Sequence, residues 1–115
     1  MNEKLDIIYL FGYSLRTQTH LKRLIPIIKS QVSKGSIVGV VLIHDGVIGT
    51  SVKGDIPSEI RALTVSNGVL NIYAMIPDLK ARGLSTDGLL EKIKPIEYED
   101  LVDLLEQSNK VISWM

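Results

Sequence analysis

Cysteine is absent from this chain of 115 residues. That excludes any disulfide, thiolate metal site, cysteine nucleophile or persulfide carried by the polypeptide itself. Histidine is scarce, with only His20 and His44. A zinc site would need both of them plus carboxylates, and they fall in segments that read as different elements, so no metal site is expected. No phosphate-binding glycine-lysine loop occurs, and no cofactor is called for. Charge of one sign is not in excess either, because thirteen basic residues offset thirteen acidic ones. Nothing at the level of net charge points to direct contact with nucleic acid or with a lipid surface. No apolar run approaches the ~20 residues of a membrane span. The start, MNEKLD, lacks the basic-then-apolar order of a signal peptide, so a cytoplasmic protein without a membrane segment is expected.

What is present is a globular composition: 45% hydrophobic and 23% charged residues, without repeats or low-complexity tracts. The length predicts a single domain over residues 1–115. DIIYLF, residues 6–11, is a short apolar run ended by Gly12 and reads as a buried strand. From Thr17 the period changes. Leu21, Leu24, Ile25, Ile28 and Val32 recur at helical spacing, Gly35 stands where a C-terminal glycine belongs, and Pro26 predicts a bend rather than a break. SIVGVVLIH, residues 36–44, is a continuous β-branched run expected of a central strand covered on both faces. Asp55, Pro57 and Glu59 predict a helix start, with Ile60, Leu63 and Thr64 facing inward and Asn67-Gly68 as the stop. VLNIYAM, residues 69–75, predicts another strand, and Pro77-Asp78 a short helix closed by Gly83, followed by a loop over 85–88. Beyond Pro95, the residues Leu101, Leu104 and Leu105 mark an amphipathic helix that Asn109 could cap. Strands alternating with helices predict an α/β fold with a mostly parallel sheet of four or five strands.

VVLIHDGVIG, residues 40–49, admits three readings. Asp-Gly between β-branched runs is a strong local signal for a hairpin turn. The small residues that follow, Gly49, Thr50, Ser51 and Gly54, instead suggest a loop leaving a central strand, which would place His44, Asp45 and Gly46 on a rim for a partner or ligand. A catalytic reading would pair His44 with Ser14 or Ser51 as nucleophile, yet neither serine sits in a nucleophile-elbow pattern. No catalytic residue is assigned. The plainest reading has Asp45 capping local amides and His44 half-packed at a strand end. Glu97, Glu99, Asp100, Asp103 and Glu106 read as the start and solvated side of the last helix, favoured by its dipole. Trp114, close to the end of the sequence, either packs back on the sheet or anchors an interface.

Several segments together, IHDGV at 43–47, NIYAMIPDLKARGL at 71–84, IKPIEYEDLVDLL at 93–105 and KVISW at 110–114, resemble the DsrH/TusB family of the DsrE/DsrF/DsrH superfamily. The segment from Gly12 to His20 departs from the family pattern, being longer and lacking a serine-proline pair. The resemblance implies a three-layer α/β/α fold and membership of a sulfur-relay complex built with homologous DsrE/TusD-like and DsrF/TusC-like subunits. In such complexes sulfur passes as a cysteine persulfide toward thiolation of a tRNA wobble uridine, or serves sulfur oxidation. The cysteine that matters most belongs to the DsrE/TusD-like subunit. A chain without cysteine is then expected to be a non-catalytic subunit, its His44-Asp45-Gly46 rim and Trp114 serving assembly. The competing expectation is a self-associating small-ligand binder that reuses the fold without sulfur chemistry.

Overall fold

A computed structural model describes residues 5–15, 19–50, 70–89 and 92–114. Five strands, β1 (Ile7–Phe11), β2 (Val38–Leu42), β3 (Leu70–Met75), β4 (Ile93–Ile96) and β5 (Val111–Trp114), form one sheet in the order β4-β3-β2-β1-β5. Every pairing is parallel. Helices α1 (Thr19–Ser33), α2 (Ile76–Ala81) and α3 (Tyr98–Gln107) complete the described framework. The helix expected from Asp55 to Asn67 lies outside the described residues, as does Ser51.

Alternation along the strands sorts the core into two layers. Ile7, Tyr9 and Phe11 of β1, Val38, Val40 and Leu42 of β2, and Ile72 and Ala74 of β3 pack with Leu21, Leu24, Ile25 and Ile28 of α1 and Leu79 of α2. The intervening residues Ile8, Val41, Tyr73 and Met75 join Leu5, Ile96 and Leu104 of α3 on the other face. This is the three-layer α/β/α arrangement. Burial on both faces is why the inner strands read as unbroken apolar runs. Gly39 interrupts β2 for a local reason: a Cβ there would come within 2.8 Å of Leu5 Cδ1, so the missing side chain makes room for a buried leucine.

Glycines end the helices as expected. After α1, Gly35 adopts φ +89, its amide donates to Val32 O and the Ser36 amide to Gln31 O, which is the Schellman closure. After α2, Gly83 at φ +67 repeats it, with donations from Gly83 to Lys80 O and from Leu84 to Leu79 O. Leu84 also packs on the cluster that holds Leu79. Pro26 lies on the exposed side of an uninterrupted α1, where the carbonyl it leaves unpaired can turn to water. Glu97 and Asp100 form a reciprocal capping box at the start of α3. Asn109 does not close that helix. Ser108 is the cap residue, its hydroxyl donating to Leu105 O, while the Asn109 amide donates to Leu5 O and leads into β5. Pro95 falls inside β4, which is tolerated because β4 stands at the edge of the described sheet with β3 as its one described neighbour.

Candidate functional site

In an all-parallel sheet the strand ends gather on one edge, and the segments leaving them form the natural rim of a site. After β2, Ile43 stays extended and the chain enters a single 3-10 turn, His44–Val47. The hairpin reading of the corner is therefore overturned: β2 runs parallel to both its neighbours, so the chain leaves the sheet here instead of folding back along it. The strand also stops at Leu42, two residues short of His44. His44 takes φ +50. It is the one non-glycine residue in the left-handed region among the described residues, a conformation that costs ~1–2 kcal/mol for an L-residue and persists where surrounding contacts impose it.

Those contacts are visible. The Ile43 amide donates to Phe11 O, Gly46 to Ile43 O, Ile48 to Asp45 O and Leu15 to Ile48 O, and the Thr50 hydroxyl donates to Val47 O. The loops after β1 and β2 are thus tied to each other. Gly46 is buried at the crossing, where a Cβ would overlap the Phe11 carbonyl oxygen. The identity of this residue is dictated by close approach of two backbones. Phe11, Tyr13 and His20 extend an aromatic step from the β1 loop: Phe11 and Tyr13 meet edge to face, and Tyr13 stacks on His20 with centroids 3.6 Å apart.

Asp45 faces a partner that sequence reasoning did not assign. Arg82, at the C-cap of α2, donates through Nε to Asp45 Oδ1 at 3.1 Å, and its Nη2 lies 3.1 Å from the same oxygen. The guanidinium is steadied from below, since Nη1 donates to Asp78 O and lies 3.8 Å from Asp78 Oδ1. Asp45 and Arg82 stand 37 residues apart in the chain, and no local pattern joins them. Asp45 remains 62% exposed and Arg82 26%. The pair contributes at most ~1 kcal/mol but fixes one carboxylate and one guanidinium at the rim, beside exposed His44.

A sequence profile described as "DsrH like protein" matches residues 16–111. The chain belongs to the DsrH-like protein family. The matched span includes the corner, Arg82 and α3, while the β1 loop from Phe11 to Leu15 lies just before it. Among solved structures, the "ychN protein from E. coli" is similar over 96% of this chain and 99% of that one, with a TM-score of 0.76 and 17% identity. At that identity the likeness shows the fold alone. No curated protein is similar enough to this DsrH-like chain to count as a match.

Trp114 packs back on its own sheet. It pairs with Phe11 in the β1–β5 ladder, its carbonyl accepts from the Gly12 amide, and its half-buried ring rests against the α1-side core. Tyr9 carries a buried phenol with a single side-chain partner among the described residues. Its hydroxyl donates to Gln31 Oε1 at 2.6 Å, and burial pushes the phenol above its ordinary value. No helix is long and apolar enough to cross a membrane among the described residues.

Proposed function

We propose that this DsrH-like chain is a non-catalytic subunit of a sulfur-relay assembly in the cytoplasm, built with DsrE/TusD-like and DsrF/TusC-like homologues. The observation that carries the reading is the family match over residues 16–111 in a chain that has no cysteine. Without a thiol it holds no persulfide, so the sulfur carrier is a cysteine of a partner subunit, serving tRNA wobble-uridine thiolation or sulfur oxidation. The part left to this chain is to complete the assembly and to shape the surroundings of that cysteine. The rim supports such a part. His44 and Asp45 are exposed on the edge where the strand ends gather, buried Gly46 holds their turn against β1, Arg82 pairs with the Asp45 carboxylate, and half-buried Trp114 ends β5 on the same edge.

The test is native mass spectrometry of the tagged chain isolated from its own source cells at low salt. The expected result is a mixed complex containing a cysteine-bearing homologue, with sulfur label on that homologue and none on this chain. A homo-oligomer recovered alone after repeated gentle isolation would overturn the reading in favour of a self-assembled ligand binder. Asp45→Ala and Trp114→Ala are expected to loosen the mixed complex, and unchanged complex mass for both would remove the rim from the interface.

A further inference from the structure

Charge is balanced over the chain but not over its faces. On α1, Lys22, Arg23 and Lys29 are exposed, Lys34 follows immediately, and the helix has no acidic residue. On α3, Glu99, Asp103 and Glu106 are exposed, Glu97 and Asp100 cap the start, and the helix has no basic residue. The two helices cover opposite faces of the sheet, α1 with one core layer and α3 with the other. Among the described residues, the exposed surface of α1 is therefore basic and that of α3, on the opposite side of the sheet, acidic.

Helix stability does not explain this placement. Lys22 and Arg23 stand near the N-terminus of α1, where cations oppose the helix dipole, and Glu106 stands in the last turn of α3, where anions oppose it. Neither helix has the opposite charges needed for supporting pairs along its own surface. Among the described residues the ion pairs are those of Arg82, so the α1 cations and the α3 carboxylates meet no counter-charge among those residues. Each charged helix also carries exposed apolar residues beside its charges. On α1 this is Ile27, 41% exposed, four residues after Arg23. On α3 it is Tyr98 and Val102, 58% and 51% exposed, one turn apart.

We infer that the α1 face of one copy of this chain docks on the α3 face of a second copy, Ile27 meeting Tyr98 and Val102 between basic and acidic flanks. Because the two faces lie on opposite sides of the sheet, one pair of copies leaves an unused face at each end. The contact is head-to-tail, and it closes into a ring or continues as an open chain. It is a contact between copies and does not depend on the sulfur-relay reading, which concerns what other subunits join.

The test uses the purified full-length chain in sedimentation and light scattering. Wild type is expected to associate at ~0.05 M salt and to dissociate toward monomer at ~0.5 M, where exposed charges are screened. Wild type that stays monomeric at every concentration and salt would overturn the proposal. Two triple variants probe the pairing itself. Variant one reverses the α1 face (Lys22→Glu, Arg23→Glu, Lys29→Glu), and variant two reverses the α3 face (Glu99→Lys, Asp103→Lys, Glu106→Lys). Each alone is expected to associate about a hundredfold more weakly, since like charges then face each other. Mixed, they are expected to recover wild-type association, because each reversed face meets its complement on the other variant. Folding of each is checked by circular dichroism, and the wild-type salt dependence decides the matter for any variant that fails to fold. A third variant, Lys80→Glu, Lys92→Glu, Lys94→Glu, carries the same change of net charge away from α1 and is expected to stay within about threefold of wild type. Full association of either face variant alone, a mixture that stays monomeric, or equal weakening by the third variant would each refute the α1–α3 contact.

Discussion

Gly46→Ala is the sharpest perturbation the rim offers. The added methyl would fall on the Phe11 carbonyl oxygen, and that oxygen cannot step aside as a side chain would. Phe11 is fully buried in β1, and its carbonyl also accepts the Ile43 amide. Relief therefore requires moving the end of β1, the 3-10 turn or both, with loss of hydrogen bonds that tie the two loops. Overpacking a core typically costs ~1–3 kcal/mol, and a clash with fixed backbone lies at or above the upper end. About 3 kcal/mol in a domain of this size corresponds to a fall in Tm of about 10 °C or more. Two controls separate this cause from a general cost of replacing glycine. At Gly39 the added methyl meets the movable end of Leu5, and at Gly35 it meets nothing but must accept φ +89, so each is expected to cost ~1 kcal/mol. Thermal and urea unfolding of the three variants side by side measure the ranking. A Gly46→Ala midpoint within about 2 °C of wild type would show that the two backbones are not held as closely as the structure places them.

Other expectations follow from single contacts. His44→Gly is expected to raise stability by ~1 kcal/mol through relief of the left-handed backbone, and His44→Val to lower it by a similar amount or more, both read by urea unfolding. Arg82→Ala is expected to cost ~1 kcal/mol or less, because Asp45 is largely exposed, with the loss shrinking as salt rises. A salt-independent loss of several kcal/mol would mean that Arg82 carries packing as well as charge. Tyr9→Phe removes the hydroxyl bonded to Gln31, and a loss of ~1 kcal/mol is expected at neutral pH. It also removes a source of alkaline lability. Burial raises the phenol above its ordinary value of 10.0, so below pH ~10 its contribution is fully present. As pH rises further the unfolded chain ionises first and the contribution is progressively lost until the folded phenol ionises too. Unfolding titrations of wild type and Tyr9→Phe that decline in parallel above pH ~10 would refute the assignment.

Much of the framework was legible because its signals are local. Short apolar runs marked β1, β2 and β3, helical spacing marked α1 and α3, and Gly35 and Gly83 marked helix ends, each within about a dozen residues of the feature it specifies. Where local signals competed, the sequence could not choose between them. Asp45-Gly46 satisfies hairpin chemistry and loop chemistry equally well, and the direction of the neighbouring strands settled it. Asn109 was a plausible cap, but the helix stopped at Gln107 because the Asn109 amide is used by Leu5 O at the start of β5. The strand nature of Pro95 was hidden because proline is permitted only at a sheet edge, and edge position belongs to topology.

By itself the sequence determined what chemistry this chain cannot perform, since a missing thiol stays missing in any fold. It also determined the family and the class of fold, because hydrophobic period and glycine punctuation are written along the chain. Only the tertiary structure decided what the rim is. It brought Arg82 to Asp45, made glycine obligatory at position 46 by laying β1 beneath it, put Trp114 back on its own sheet, and set a basic helix and an acidic helix on opposite faces. Each of those depends on which distant segments become neighbours, and sequence spacing does not encode distance once the chain has crossed the sheet.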